Sequence, residues 1–250
     1  MLGEEENNSN IEVKKNDIDI NQNEHKNMGL PKLISLFAIG FAGLIVISFT
    51  IGLFLYFADI DEGVKTGITN FITYGILLII FALVINKDVK LFKDDLKKWT
   101  SYLMGLAIAI LLIAFSIIYA NIINLFRHYE VSDNETSLRS IINVMPVLSI
   151  IFFCFIGPVC EELTYRVGLF NIFAKRKWLG YLIAILVFAF AHFSFFGSDI
   201  IGELINLPVY LLSAFALTFA YDKFGLSASL TAHTINNLYA IISYLIVSNL

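Results

Sequence analysis

Long apolar runs decide what this chain can fold into. A helix that crosses the hydrocarbon of a bilayer needs about 20 apolar residues, at 1.5 Å rise each over about 30 Å. Seven runs approach or exceed that length, at about 33–57, 67–86, 101–124, 141–173, 179–196, 200–221 and 226–248. The expected fold class is all-α: a polytopic transmembrane helical bundle of about seven spanning helices. The fourth run is too long for one straight span. Gly157-Pro158 lies inside it, where the missing proline N–H predicts a kink. Splitting the run there gives eight elements. The connections are short and leave no room for a soluble domain.

Composition agrees. Hydrophobic residues make up 58% of the chain and charged residues 15%, against roughly 45–50% and about 25% in soluble domains. Mean hydropathy is +0.76. The net charge of −4 comes with no basic block, which excludes nucleic acid as a partner and leaves the lipid bilayer. Cys154 and Cys160 share one apolar run and, six residues apart, face different directions on a helix. Neither a disulfide framework nor a cysteine metal site is expected.

Residues 1–32 differ from the rest. They are rich in Asn, Glu, Asp and Lys and lack apolar periodicity, so they read as a disordered cytoplasmic tail. They also lack the basic-then-apolar start of a signal peptide, and the first apolar run is expected to stay as an anchor. Three helices over 33–140 then lead into a core over 141–250. With the N-terminus inside, the inner segments hold thirteen Lys and Arg residues and the outer loops hold three, Lys65, Arg127 and Arg139. That asymmetry predicts a cytoplasmic N-terminus in a cell membrane. Trp99 and Trp178 each stand where a basic inner segment enters the next helix, the level that amphipathic aromatic rings prefer. The stretch KDVKLFKDDLKKW is either a short interfacial helix or a solvated charged loop.

Ionisable groups inside the runs are the functional signal, because a charge in hydrocarbon costs at least ~2.5–3.5 kcal/mol. Glu161, Glu162 and Arg166 lie in CEELTYR, His192 ends FAFAH, and His233 and Asn237 lie in HTINN. Glu162 and Arg166 are four apart in the favourable order for a helical pair. Glu161 is turned about 100° away and left for chemistry. Counted at 1.5 Å per residue from the inner ends, Glu161 and His192 lie about 20 Å deep, and His233 and Asn237 about 10 and 16 Å. Groups on three helices therefore fall within roughly two turns of one another. A carboxylate beside a histidine can bind and deprotonate a water, and a His–Asn pair can stabilise an oxyanion. The same Glu161, His192 and His233 could instead hold a divalent metal such as zinc. A zincin HExxH and a serine-protease context are both absent.

EELTYR fits EExxxR, FAFAH fits FxxxH and HTINN fits HxxxN. In order and spacing they resemble the three motifs of the CPBP family of intramembrane proteases, also called the Abi or type II CAAX prenyl protease-like family. The resemblance covers about 141–250. It implies an endopeptidase that cuts a peptide or membrane-protein substrate. Glu161 would be the general base working with His192, Glu162 and Arg166 would complete the first motif, and His233 with Asn237 would form the oxyanion site. No cofactor is required in the glutamate mechanism; the metal mechanism needs one. Members are also associated with bacteriocin immunity or act as membrane scaffolds, so a non-catalytic role is the first alternative. A transporter or proton relay is the second, although internal repeats are lacking. The many Asn, Ile and Lys residues suggest a low-GC bacterium, where prenylated substrates are not expected. Glu203 lies near an outer end and reads as interfacial.

Overall fold

A computed structural model describes residues 28–197 and 199–248; the greater part of the expected tail, residues 1–27, lies outside them. Every regular element among the described residues is helical, as expected where lipid offers the backbone no hydrogen-bond partner. The elements are α1 (Leu30–Leu55), α2 (Glu62–Ile85), α3 (Val89–Leu96), α4 (Trp99–Asn124), α5 (Asp133–Val144), α6 (Pro146–Phe170), α7 (Lys177–Ala191), α8 (Ile200–Phe224) and α9 (Leu226–Ser248).

Among the described residues six helices are long and apolar enough to cross a membrane: α1, α2 with its extension through α3, α4, α6, α8 and α9. The expected count of seven falls to six because α7, the fifth apolar run, is a helix of only 15 residues. The fourth run is two elements, but the break is not at Pro158. It comes at Met145, whose extended φ of −139° fits the exclusion of helical backbone before a proline. Pro146 then opens α6, where its missing N–H costs nothing. Upstream, α5 reaches back to Asp133 because the Ser132 hydroxyl caps the Glu135 N–H.

Gly157-Pro158 lies inside α6, which continues through it by widening. Residues Phe152–Ile156 take the π register, and the Gly157 N–H bonds the Phe152 carbonyl five residues back. A second π segment covers Glu162–Phe170, so the motif helix is wound loosely on both sides of Glu161. Such π segments often sit at functional sites.

α6 is the core of the bundle. Its second half is buried, from Glu162 to Phe170, between α1 and α7, with α9 against it as well. A Cβ at Gly40 would lie 1.8 Å from Thr164 Oγ1, so glycine is what lets α1 approach this closely. α9 packs along α4 and α8. Phe81, Phe170, Phe188 and Tyr221 fill the centre, while Phe49, Phe54 and Phe57 face outward. The phenylalanines thus serve both core and lipid-facing surface. The stretch around residues 87–99 contains a true helix, α3, with Phe92 and Asp95 buried and Lys90 and Lys93 exposed. Asp95 ties it to the α8–α9 turn by accepting from the Ser227 N–H at 2.8 Å.

Candidate active site

The first motif lies on α6. Glu162 and Arg166 are one helical turn apart, and both are fully buried. The Arg166 Nη1 is 3.2 Å from Glu162 Oε1, without the alignment of a hydrogen bond. The guanidinium lies over the face of Phe188, 4.4 Å from its centroid. Charge and an aromatic face therefore hold it where no polar partner is aligned. Ser229 on α9 donates to the other Glu162 oxygen.

Glu161 points away from that pair, as its 100° offset predicts. Its Oε1 accepts from the Tyr74 hydroxyl on α2 at 3.0 Å. Its Oε2 is buried and has no hydrogen-bond partner. Facing that oxygen are His233 Nε2 at 3.6 Å and His192 Nε2 at 3.9 Å. Burying a carboxylate oxygen unbonded is costly.

The two imidazoles are oriented from behind. His192 Nδ1 is 2.8 Å from the Phe188 carbonyl; a carbonyl only accepts, so Nδ1 carries the hydrogen and the neutral ring keeps a lone pair on Nε2. The ring stacks between Phe188 and Tyr210, at 4.5 and 5.3 Å between centroids. His233 Nδ1 is 2.9 Å from Glu162 Oε1, so the buried brace also sets the aim of His233 Nε2. Two carboxylates, one guanidinium and one imidazole form a connected network, and a protonated His233 would make that network neutral.

His233 and Asn237 share a face of α9, yet their partners differ. Asn237 Nδ2 donates to the Phe153 carbonyl at 2.8 Å. In the π register that carbonyl would receive the N–H of residue 158, which proline lacks. Asn237 satisfies the acceptor that Pro158 orphans, and one amide hydrogen remains for a further acceptor.

Glu161, His192, His233 and Asn237 line one cavity of about 600 Å³, with Tyr74 and Tyr210. That volume is in the usual range for ligand sites. At its far rim Tyr129 donates to Asn206 Oδ1 at 2.6 Å. Burial, with Glu135 adding to it, raises the Tyr129 hydroxyl to about 12 and keeps it a donor. Glu203 is 3% exposed, and its carboxylate accepts from the Asp133 and Ser194 N–H groups. Among the described residues no group of three His, Cys, Asp or Glu side chains is arranged to hold a metal. Glu161, His192 and His233 have suitable donor chemistry but do not form such a set.

Phe188, the first residue of the FxxxH motif, backs both Arg166 and His192, while Tyr74, Ser229 and Tyr210 complete the site and carry no motif signal. Ser229 at i−4 from His233 was the one legible in principle, since both fall on one face of α9.

Residues 143–239 match the family described as type II CAAX prenyl endopeptidase Rce1-like. Two relatives are UPF0177 proteins of Lactococcus lactis. YajF is 26% identical over 68% of this chain and 84% of its own length. YvdC is 29% identical over 58% of this chain and 52% of its own length. An uncharacterized protein of Mycoplasma capricolum is 29% identical over 89% of this chain and 67% of its own length. No solved structure matches the chain. All three motifs fall inside the matched segment: residues 143–239 carry the type II CAAX prenyl endopeptidase Rce1-like signature that those motifs resemble, in a chain whose described residues include six helices long and apolar enough to cross a membrane.

Proposed function

We propose that the protein is an intramembrane endopeptidase that hydrolyses a peptide bond with water activated by Glu161. The observation that carries this reading is the Glu161 Oε2 atom, buried without a hydrogen-bond partner and facing two imidazole nitrogens beside a cavity. A water there donates to Oε2 and to the lone pair on His192 Nε2. As its oxygen attacks the carbonyl carbon, Glu161 takes the proton. The oxyanion that forms is stabilised by Nε2–H of protonated His233 and by the free amide hydrogen of Asn237. Glu161 then passes its proton to the departing nitrogen, the C–N bond breaks, and a carboxylic acid and an amine are released. Glu162 and Arg166 take no proton; they fix His233. Tyr74 fixes the Glu161 carboxylate. No step is routed through a metal.

The test is cleavage of a matched peptide or membrane-anchored protein by the reconstituted protein and its Glu161→Ala variant. Loss of general-base catalysis lowers the rate by about 10²–10⁴-fold. Chelation leaves the parent rate unchanged. Equal cleavage by Glu161→Ala and parent rejects the mechanism, and a protein that confers bacteriocin immunity without Glu161 or His192 is a binding protein.

A further inference from the structure

We infer that the site receives its substrate from the extracytoplasmic face, as an extended peptide segment threaded along the bundle axis; this rests on the hydrolytic reading above. Two independent features meet here. The first is charge. Among the described residues ten Lys and Arg side chains stand at the end that carries the start of α1, α3 and the α6–α7 and α8–α9 turns: Lys32, five in residues 87–98, Lys175, Arg176, Lys177 and Lys223. Three stand at the opposite end, Lys65, Arg127 and Arg139. The positive-inside rule puts the first end in the cytoplasm.

The second is the direction of the cavity. From Glu161 it runs past Ser116 on α4 and Ser213 on α8 to Tyr129, Asn134 and Arg139 at the poorly charged end. None of its lining residues belongs to the basic end. In that direction the chain is closed by Glu162, Arg166, Val167, Thr218, Tyr221 and Ser229, each no more than 1% exposed. The brace that fixes His233 is thus also the cavity floor. The rim at the end of the cavity away from the floor is lined by α5 and the loop before it, together with Asn70 of α2 and Tyr239 and Tyr244 of α9. That rim carries polar groups able to bond an extended backbone: the Asn134 amide, the Tyr210 hydroxyl and the Arg139–Glu135 pair, joined at 2.5 Å. A cavity of about 600 Å³ admits a few residues of unfolded chain and no folded domain, so the substrate is a loose peptide or a chain terminus.

Single cysteines test the geometry without needing catalysis, because Cys154 and Cys160 are both buried. Asn134→Cys at the rim, Ser116→Cys within the cavity and Lys93→Cys on α3 are each expressed in bacterial cells. A small membrane-impermeant thiol reagent is added to intact and to permeabilised cells. The expected result is full labelling of Asn134→Cys and Ser116→Cys in intact cells, with Lys93→Cys labelled only after permeabilisation. Labelling of Lys93→Cys in intact cells, or of Ser116→Cys only after permeabilisation, overturns the inference. Cleavage by detergent-solubilised protein, where both faces are open, tests the hydrolytic reading separately. Activity there together with the reversed labelling pattern removes the entry route and leaves the chemistry standing.

Discussion

Asn237 offers a way to separate a structural from a chemical contribution in one side chain. Its Nδ2 donates to the Phe153 carbonyl, and that carbonyl lacks a backbone partner because residue 158 is proline. Asn237→Ala leaves the acceptor unsatisfied. A buried unpaired acceptor costs about 1–3 kcal/mol, but hydrogen bonds between membrane helices average about 0.6 and reach about 1.7 kcal/mol. The cavity also lets water approach, so a loss of about 1 kcal/mol is expected, or about 2–4 °C in Tm for a chain of this size. Pro158→Ala restores an N–H at the position that can reach this carbonyl. In the parent it changes stability little, since Asn237 already serves the acceptor. In the Asn237→Ala background it recovers most of the loss. The assay is thermal unfolding of the four purified proteins in one detergent. Effects that simply add, within about 0.5 kcal/mol, refute the account of the π turn. Cleavage measured on the same four proteins reads the other role: if the second amide hydrogen serves the oxyanion, the double variant regains stability and stays slow.

Tyr74→Phe removes the donor to Glu161 Oε1; a hydrogen bond to a charged group contributes about 1.5–3 kcal/mol, so kcat should fall about 10- to 100-fold with KM and Tm near parent values, and a change confined to KM contradicts a positioning role. Arg166→Met leaves Glu162 charged and buried, and breaking such a pair costs about 3–5 kcal/mol; the purified variant should unfold well below the parent in a detergent melt, and a Tm within a degree or two shows that the carboxyl is neutral. Gly225 holds φ +95° and ψ 179°, and an added Cβ would lie 2.1 Å from Asp95 Oδ1. Gly225→Ala should therefore cost at least the ~1–3 kcal/mol of such a backbone position, read as proteolysis at the α8–α9 turn that the parent resists.

The apolar runs announced their helices because bilayer thickness sets both length and composition. The convergence of Glu161, His192 and His233 was legible for a related reason: each is too polar for its place, and their depths along the helices fall within roughly two turns of one another. Their mutual aim was not legible. Spacing along α9 says that His233 and Asn237 share a face, but it does not say that one meets Glu162 and the other the Phe153 carbonyl. That depends on how α9 is rotated against α6, which neither sequence segment encodes alone. Tyr74 is 87 residues from Glu161 and looks like any aromatic residue in a span.

The short α7 connects these observations. Its 15 residues rise about 22 Å, less than the roughly 30 Å of hydrocarbon. A helix that starts at the basic end, with Trp178 exposed there, ends before the far surface. His192 caps that end, so the truncation that removes α7 from the spanning set is what delivers the imidazole to Glu161. The backbone just past His192 is irregular, and its N–H groups need partners where they are buried. Glu203 meets that need: one carboxylate oxygen accepts from Ser194 N–H just past His192, and the other from Asp133 N–H at the start of α5. The buried acid Glu203 thus holds the backbone just past the histidine motif and ties it to the start of α5.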